Sequence, residues 1–302
     1  MGLFNSNYSA PGPGVSKNER RKKGIARFYE IFFRKFWDLI KLNLLYIITL
    51  LPTFAVIFLL SGIISNKFGY SESVMNALQS SGQSFTELDA ANVSVTMDLL
   101  IRFIVSVFFT IFWGGGPATA GFVYILRSFL WEDPVFIVSD YFKRIRMNLR
   151  QSLIVWIIDI IVFIALCIAY FVYNSMPSIM YFLKYVILVL AFFYTMLHLY
   201  IHHLMVTYEL SIPKLYKNSA LFALSSLPFS VLTVLVVSFV ILIFPAIAFT
   251  SANDTIAAVF MILVIAVVFL LLFSFCGLYI ECNAVTQIKK YIKEEVSVER
   301  GE

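Results

Sequence analysis

The chain has 302 residues, of which 60% are hydrophobic and only 14% charged, with a formal net charge of +5 and a mean hydropathy of +0.86. Soluble domains are about 45–50% apolar and about 25% charged, so this composition excludes an ordinary soluble enzyme, a disordered chain, a collagen-like fibre and a disulfide scaffold. Most basic residues lie outside the hydrophobic runs, which is the pattern of loops facing an anionic leaflet and not of a nucleic-acid surface.

Residues 1–23 read as a mobile polar and basic tail, Pro/Gly/Ser-rich between Ser6 and Ser16. Residues 24–37 read as an amphipathic helix. Ile25, Phe28, Tyr29, Phe32 and Phe36 form an apolar stripe at helical spacing, with Arg27, Glu30, Arg34 and Asp38 largely opposite. Such a helix lies in the inner membrane interface, phenylalanines inward and arginines toward headgroups. A plain anchor and a partner-binding helix both fit it.

A spanning helix needs about 20 mostly apolar residues. Six runs qualify: 38–61, 99–126, 151–173, 179–206, 228–250 and 256–283. The predicted fold is all-α, with a six-helix membrane domain over 38–284. The loop 62–98 is long, while those from Asn174 to Ser178 and from Ser251 to Thr255 are very short. Of the 23 Lys and Arg residues, all but Lys67, Arg102 and Lys184 fall on one side if the N-terminus is inside. The excess of basic loops faces the cytoplasm. Both termini are therefore expected inside, with 285–302 as a cytoplasmic tail and 62–98 outside.

The second run is too long. From Leu99 to Trp131 a straight helix would measure about 48 Å, against a hydrocarbon core of about 30 Å. Gly114, Gly115, Gly116 and Pro117 lie in its middle and predict a break in the helix. Broken backbone in a membrane is tolerated only when buried in protein or lining a wet cavity, and it marks the site in many transporters. A kink that lets Gly115, Ala118 and Gly121 pack closely is the other reading.

Asp159 is the ninth residue of the third run, about 12 Å from its inner end by helical rise. A charge at such depth costs roughly 2.5–3.5 kcal/mol on insertion scales, so it needs a partner or a proton. His198 lies at a similar depth in the fourth run, with His202 one turn below it and His203 beside that. Arg127 and Glu281 mark inner ends of the second and sixth runs. Asp159, His198, His202, Arg127 and Glu281 are expected to form one polar cluster in the inner half. A hydrogen-bonded structural group, a proton or solute path, and a metal held by His198 and His202 stay open for it. No third metal ligand is evident in sequence, and the expectation is no metal and no cofactor. Cys167, Cys276 and Cys282 show no paired pattern. Walker, dinucleotide-binding and nucleophile-elbow motifs do not occur.

Residues 209–228 read as an inner loop plus a helix entering the fifth run. Lys214, Lys217 and Asn218 are expected to face water, and Leu215, Leu221, Phe222 and Leu224 the bilayer.

Several stretches carry a resemblance. Met1 to Asn5, Leu42 to Leu45 with Leu51-Pro52, and Gly116-Pro117-Ala118-Thr119-Ala120-Gly121 fit one pattern. The basic stretch from Phe142 to Arg150 and Tyr208 with Lys214 to Ala220 join it. Together they resemble the YesL-like bacterial membrane proteins over most of 40–230. The chain departs in its long basic N-terminal extension and its long first outer loop. The resemblance implies a non-enzymatic accessory subunit beside a carbohydrate ABC import system in the bacterial plasma membrane, with the bilayer and importer permease subunits as partners. A weaker likeness is to the cytoplasmic loop of ABC importer permeases, on Glu209, Phe222, Leu227 and Pro228. Leu210, Ser211 and Leu215 stand where that loop has two alanines and a glycine. It would make Glu209, Lys214, Lys217, Phe222 and Pro228 a partner-facing loop. The alternative function is a transporter or channel in its own right, using the break and the Asp159 cluster.

Overall fold

The computed structural model describes residues 24–67, 87–176, 178–250 and 254–291. The predicted tail 1–23, most of the loop 62–98 and residues 292–302 lie outside the described residues. Within them the chain is helical throughout, without strands. The helices are α1 (Ile25–Arg34), α2 (Phe36–Lys67), α3 (Glu87–Phe112), α4 (Pro117–Trp131) and α5 (Ile137–Asn174), then α6 (Leu183–Thr207), α7 (Ile212–Ser225), α8 (Leu227–Thr250), α9 (Asp254–Val267) and α10 (Phe273–Tyr291). A single 3₁₀ turn, Ser178–Phe182, precedes α6, and a π-helical turn, Val268–Leu272, joins α9 to α10.

Among the described residues, six stretches are long and apolar enough to cross a membrane: Phe36–Gly62, Val95–Phe112, Ile137–Asn174, Met180–Thr207, Leu227–Ile247 and Ile262–Lys290. Each predicted run has its counterpart, with two corrections. The basic stretch 143–150, expected in a loop, is helical, because α5 is 38 residues long. At about 57 Å it overshoots the roughly 30 Å hydrocarbon core. The loop 62–98 is shortened at both ends, since α2 runs to Lys67 and α3 begins at Glu87.

The second run divides into α3 and α4. Along α2, Phe54 meets Phe103 of α3, Thr53 meets the Gly115 carbonyl and Tyr46 meets Thr119 of α4, while Lys35, just before α2, lies over Phe129. Both helices therefore run antiparallel to α2, one continuing the other. Eleven of the fifteen α4 residues are buried, which is why a helix too short to cross alone is held inside the bundle. Its small residues allow close approach: a Cβ on Gly121 would stand 2.8 Å from the Tyr141 carbonyl oxygen. The second half of α6, Thr195 to Val206, is buried on every face, so α6 is the bundle's central post.

The first and last membrane helices are joined by a side chain. Asn43 Nδ2 donates to the carbonyls of Val268 (3.1 Å) and Phe269 (2.7 Å), and its Oδ1 accepts from the Ser274 amide (2.9 Å). Ser274 Oγ in turn donates to the Leu39 carbonyl. The π turn widens the helix and leaves carbonyls without their usual donors. Asn43, fully buried, supplies those donors.

α1 differs from its expected orientation. Phe28 and Ile31 are buried, but so is Arg27, while Ile25, Tyr29, Phe33 and Trp37 are exposed. The exposed apolar stripe thus falls on the face at i, i+4, i+8 and i+12. Arg27 turns inward because its Nη2 donates to the Leu130 carbonyl (2.9 Å) and to Glu132 (2.9 Å), while Arg34 reaches the same carboxylate at 2.6 Å. Glu132 closes α4 in the left-handed region at φ 63°, a conformation that bulky residues adopt only when held there. The Arg34 guanidinium, and then Arg27, hold the Glu132 carboxyl below its ordinary value. A depressed carboxyl contributes stability above its unfolded pKa and loses it as pH falls through the lowered folded value. Glu132→Gln is therefore expected to speed amide exchange over residues 25–34 at neutral pH. The wild type should begin to approach the variant only as pH falls below the ordinary glutamate value of about 4.3. Equal exchange at neutral pH would mean the clamp does not hold α1.

Candidate functional site

The break is built from the residues expected to make it. α3 ends with the Trp113 amide on the Phe109 carbonyl (2.7 Å), and Gly114 bonds to the same oxygen (3.2 Å). Gly114 and Gly116 then take φ of 88° and 63°, where side chains are strained. Pro117 starts α4 at a position whose amide has no helical partner. Two side chains satisfy the exposed backbone. Thr119 Oγ1 accepts the Gly115 amide at 2.5 Å, and His202 Nε2 donates to the Trp113 carbonyl at 3.1 Å.

Beside the break lies the expected carboxylate–histidine contact. Asp159 is fully buried; its Oδ1 receives the Tyr194 hydroxyl at 2.7 Å and meets His198 Nε2 at 2.8 Å. His198 Nδ1 lies 3.1 Å from the Tyr194 backbone carbonyl. A carbonyl only accepts, so Nδ1 carries a proton. Either Nε2 carries a second proton and faces a carboxylate, or Asp159 is a carboxylic acid donating to Nε2. In both cases the pair holds one proton between its two facing atoms and is neutral overall. That neutrality lets an aspartate sit at this depth. Trp113 and Tyr216 enclose the His198 ring, with centroids at 5.9 and 6.4 Å. Asp159 Oδ2, the Trp156 indole nitrogen and His202 Nδ1 are buried with no hydrogen-bond partner among the described residues, so the group has capacity for further bonds.

The single cluster expected from sequence is two. His203 Nδ1 pairs with Glu281 Oε1 on α10, with Thr207 on its other nitrogen at 3.5 Å. Helical geometry explains the split: His202 is rotated about 40° from His198, but His203 about 140°. Arg127 joins neither histidine. It donates to the Val206 carbonyl (3.4 Å) and to Thr207 Oγ1 (3.2 Å), and its guanidinium stacks 4.4 Å from the Trp131 ring. The two pairs are not isolated. A cavity of about 40 Å³ is lined by Tyr46, Thr119, His198, His202, His203 and Glu281, among others. That exceeds the roughly 10–15 Å³ a water needs and is far below the roughly 300 Å³ at which ligand pockets begin. Among the described residues, no group of three His, Cys, Asp or Glu is arranged to hold a metal ion.

The loop residues lie apart from this core. Glu209, Lys214, Lys217 and Pro228 are exposed, whereas Phe222 stacks on Tyr200 at 5.9 Å. Leu215 is fully buried. These two were expected to face lipid; they instead pin α7 to the bundle, and Leu221 and Leu224 are the exposed ones. Tyr194, Tyr216, Trp113 and Thr119 were not singled out from sequence. Tyr194 sits one turn before His198, a spacing that carries the signal. Comparison with family models, with curated proteins and with solved structures finds no match to this chain.

Asp159→Leu leaves His198 and the Tyr194 hydroxyl buried without their acceptor. It is expected to lower stability by about 3 kcal/mol, near the bottom of the range for breaking a buried pair. Asp159→Asn keeps an acceptor oxygen and is expected to cost about 1 kcal/mol. Thermal unfolding in detergent orders the two; equal losses would contradict the hydrogen-bonding account.

Proposed function

We propose that the protein is a non-enzymatic, multi-pass component of a membrane transport system, and that its working part is the break between α3 and α4 with the proton-holding Asp159–His198–Tyr194 group beside it. The observation that carries this reading is the buried 2.8 Å contact of Asp159 Oδ1 with His198 Nε2 beside interrupted backbone. Ionisable residues at such depth are costly and belong by default to relays and transport sites, and broken helices recur where transporters bind their cargo. The small cavity brings the His203–Glu281 pair within reach of the same hydrogen-bonded row. Its size suits water and protons, not a sugar, so solute passage would need the helices around the break to separate.

Wild-type protein in liposomes is expected to dissipate an imposed pH gradient, read with an internal pH dye. Asp159→Asn should not do so while unfolding at a similar temperature. Equal rates in both would overturn the proton-holding role.

A second reading is the accessory subunit of a carbohydrate ABC importer in the bacterial plasma membrane. It rests on the resemblance of residues 40–230 and is favoured by α7. That helix presents Lys214, Lys217, Leu221 and Leu224 outward, beside exposed Glu209 and Pro228. Such a face, apolar and basic together, fits a partner at the membrane edge. Purification in mild detergent is expected to bring permease subunits with the protein; partnerless recovery would remove this reading.

For orientation, the basic residues support both termini inside and α1 in the inner interface. A reporter after Glu302 should read cytoplasmic and one near Gly82 external. Finding both on one side would sink the arrangement.

A further inference from the structure

A second cavity, of about 670 Å³, lies between α3, α5, α6 and α8, away from the polar row. Its wall is almost wholly apolar, with Phe108, Phe109, Phe163 and Phe192 among its lining residues. The hydroxyl of Thr195 on that wall is already engaged, accepting the Trp113 indole N–H at 3.0 Å and donating to the Ala191 carbonyl at 2.9 Å. Trp113 forms the inner end and divides the cavity from Tyr194 and His198, whose rings lie 4.9 and 5.9 Å from it. A volume of this size is in the range of ligand pockets. Lined this way, it offers nothing to water and suits hydrocarbon.

The other end of the cavity is different. Tyr170 and Phe171 of α5, and Ile187 and Leu188 of α6, line it. One helical turn further out on each helix stand Asn174 and Lys184. Lys184 Nζ donates to Asn174 Oδ1 at 3.2 Å and lies 3.3 Å from the Tyr181 ring centroid and 5.2 Å from that of Tyr185. Among the described residues no carboxylate is within ion-pair distance of it. An ammonium ringed by tyrosines at the edge of an apolar span has the form of an interfacial anchor. Its described neighbours are neutral, which leaves its charge for an anion to balance.

We propose that this cavity binds an anionic phospholipid of the leaflet at the α5–α6 turn, with one acyl chain between α3, α5 and α6 and the phosphate on Lys184. The surrounding bilayer supplies the occupant, and the apolar wall and the single rim cation match its two ends. Chain contacts give retention, because a gap in a packed bundle forfeits dispersion contacts. Lys184 gives headgroup preference.

The test is native mass spectrometry of the full chain with equal phosphatidylglycerol and phosphatidylcholine. Wild type is expected to retain phosphatidylglycerol about fivefold over phosphatidylcholine, the ratio that one basic residue at an anionic surface supplies. Lys184→Gln should abolish the preference and keep lipid bound. Ala191→Phe, which narrows the cavity, should reduce retention of both lipids; Cys167→Phe on the facing wall replaces it if that variant does not fold. On the unaltered chain, maleimide labelling of Cys167 should slow as phosphatidylglycerol is added. Equal retention in wild type and both variants, or Cys167 labelling unaffected by lipid, overturns the proposal.

Discussion

A helix interrupted inside hydrocarbon leaves amide and carbonyl groups that lipid cannot bond, and each one left bare costs several kcal/mol. In this chain the interruption runs from Trp113 to Gly116, and its repair sets the positions of the helices around it. The Gly115 amide needs Thr119, whose hydroxyl is within reach of Tyr46 on α2. The Trp113 carbonyl needs His202 on α6. Gly116 lies against Trp156 on α5, whose side chain a Cβ would meet at 3.1 Å. Three neighbouring helices are thus fixed in depth by three residues of irregular backbone, Trp113, Gly115 and Gly116. The buried face of α6 follows from the same requirement, since a histidine that caps a mid-membrane carbonyl must itself be inside.

The ionisable groups obey a parallel rule at different depths. Asp159 and Glu281 are each matched to a histidine, which can carry or release the balancing proton. A guanidinium in that place could not release its proton. Arginines are instead found where carbonyl ends of helices and aromatic faces are available. Arg127 lies on the α6 terminus and Trp131, and Arg27 on the α4 terminus. The result is a core whose charges are adjustable and a rim whose charges are permanent.

Much of this was legible before any coordinates. Hydropathy located six spans because their apolar length is a direct demand of the bilayer, and three adjacent glycines before a proline announced the break. Asp159 beside His198 followed from equal depth on neighbouring spans. What composition could not convey was azimuth. Depth alone merged His198, His202 and His203 into one cluster, although the 100° step between helical residues separates His203 from the others. The same omission put Leu215 and Phe222 on lipid and sent Arg27 outward. The inward turn of Arg27 was invisible because its partner Glu132 is 105 residues distant in sequence. Tyr194 was missed because a tyrosine in an aromatic-rich span stands out only when its acceptor is known.

The tie between Asn43 and the π turn has a bearing on how the chain is made. Asn43 lies in the first membrane helix, and the carbonyls it serves come 225 and 226 residues later. A ribosome delivers α2 to the membrane long before α9 and α10 exist. Through that interval the amide of Asn43 must find water, another helix or a chaperone, because lipid offers it no acceptor. The bundle therefore acquires its final closure only with the last span. A chain cut short before residue 268 would carry a polar side chain in its first helix with no place to go, which gives quality control a feature to read.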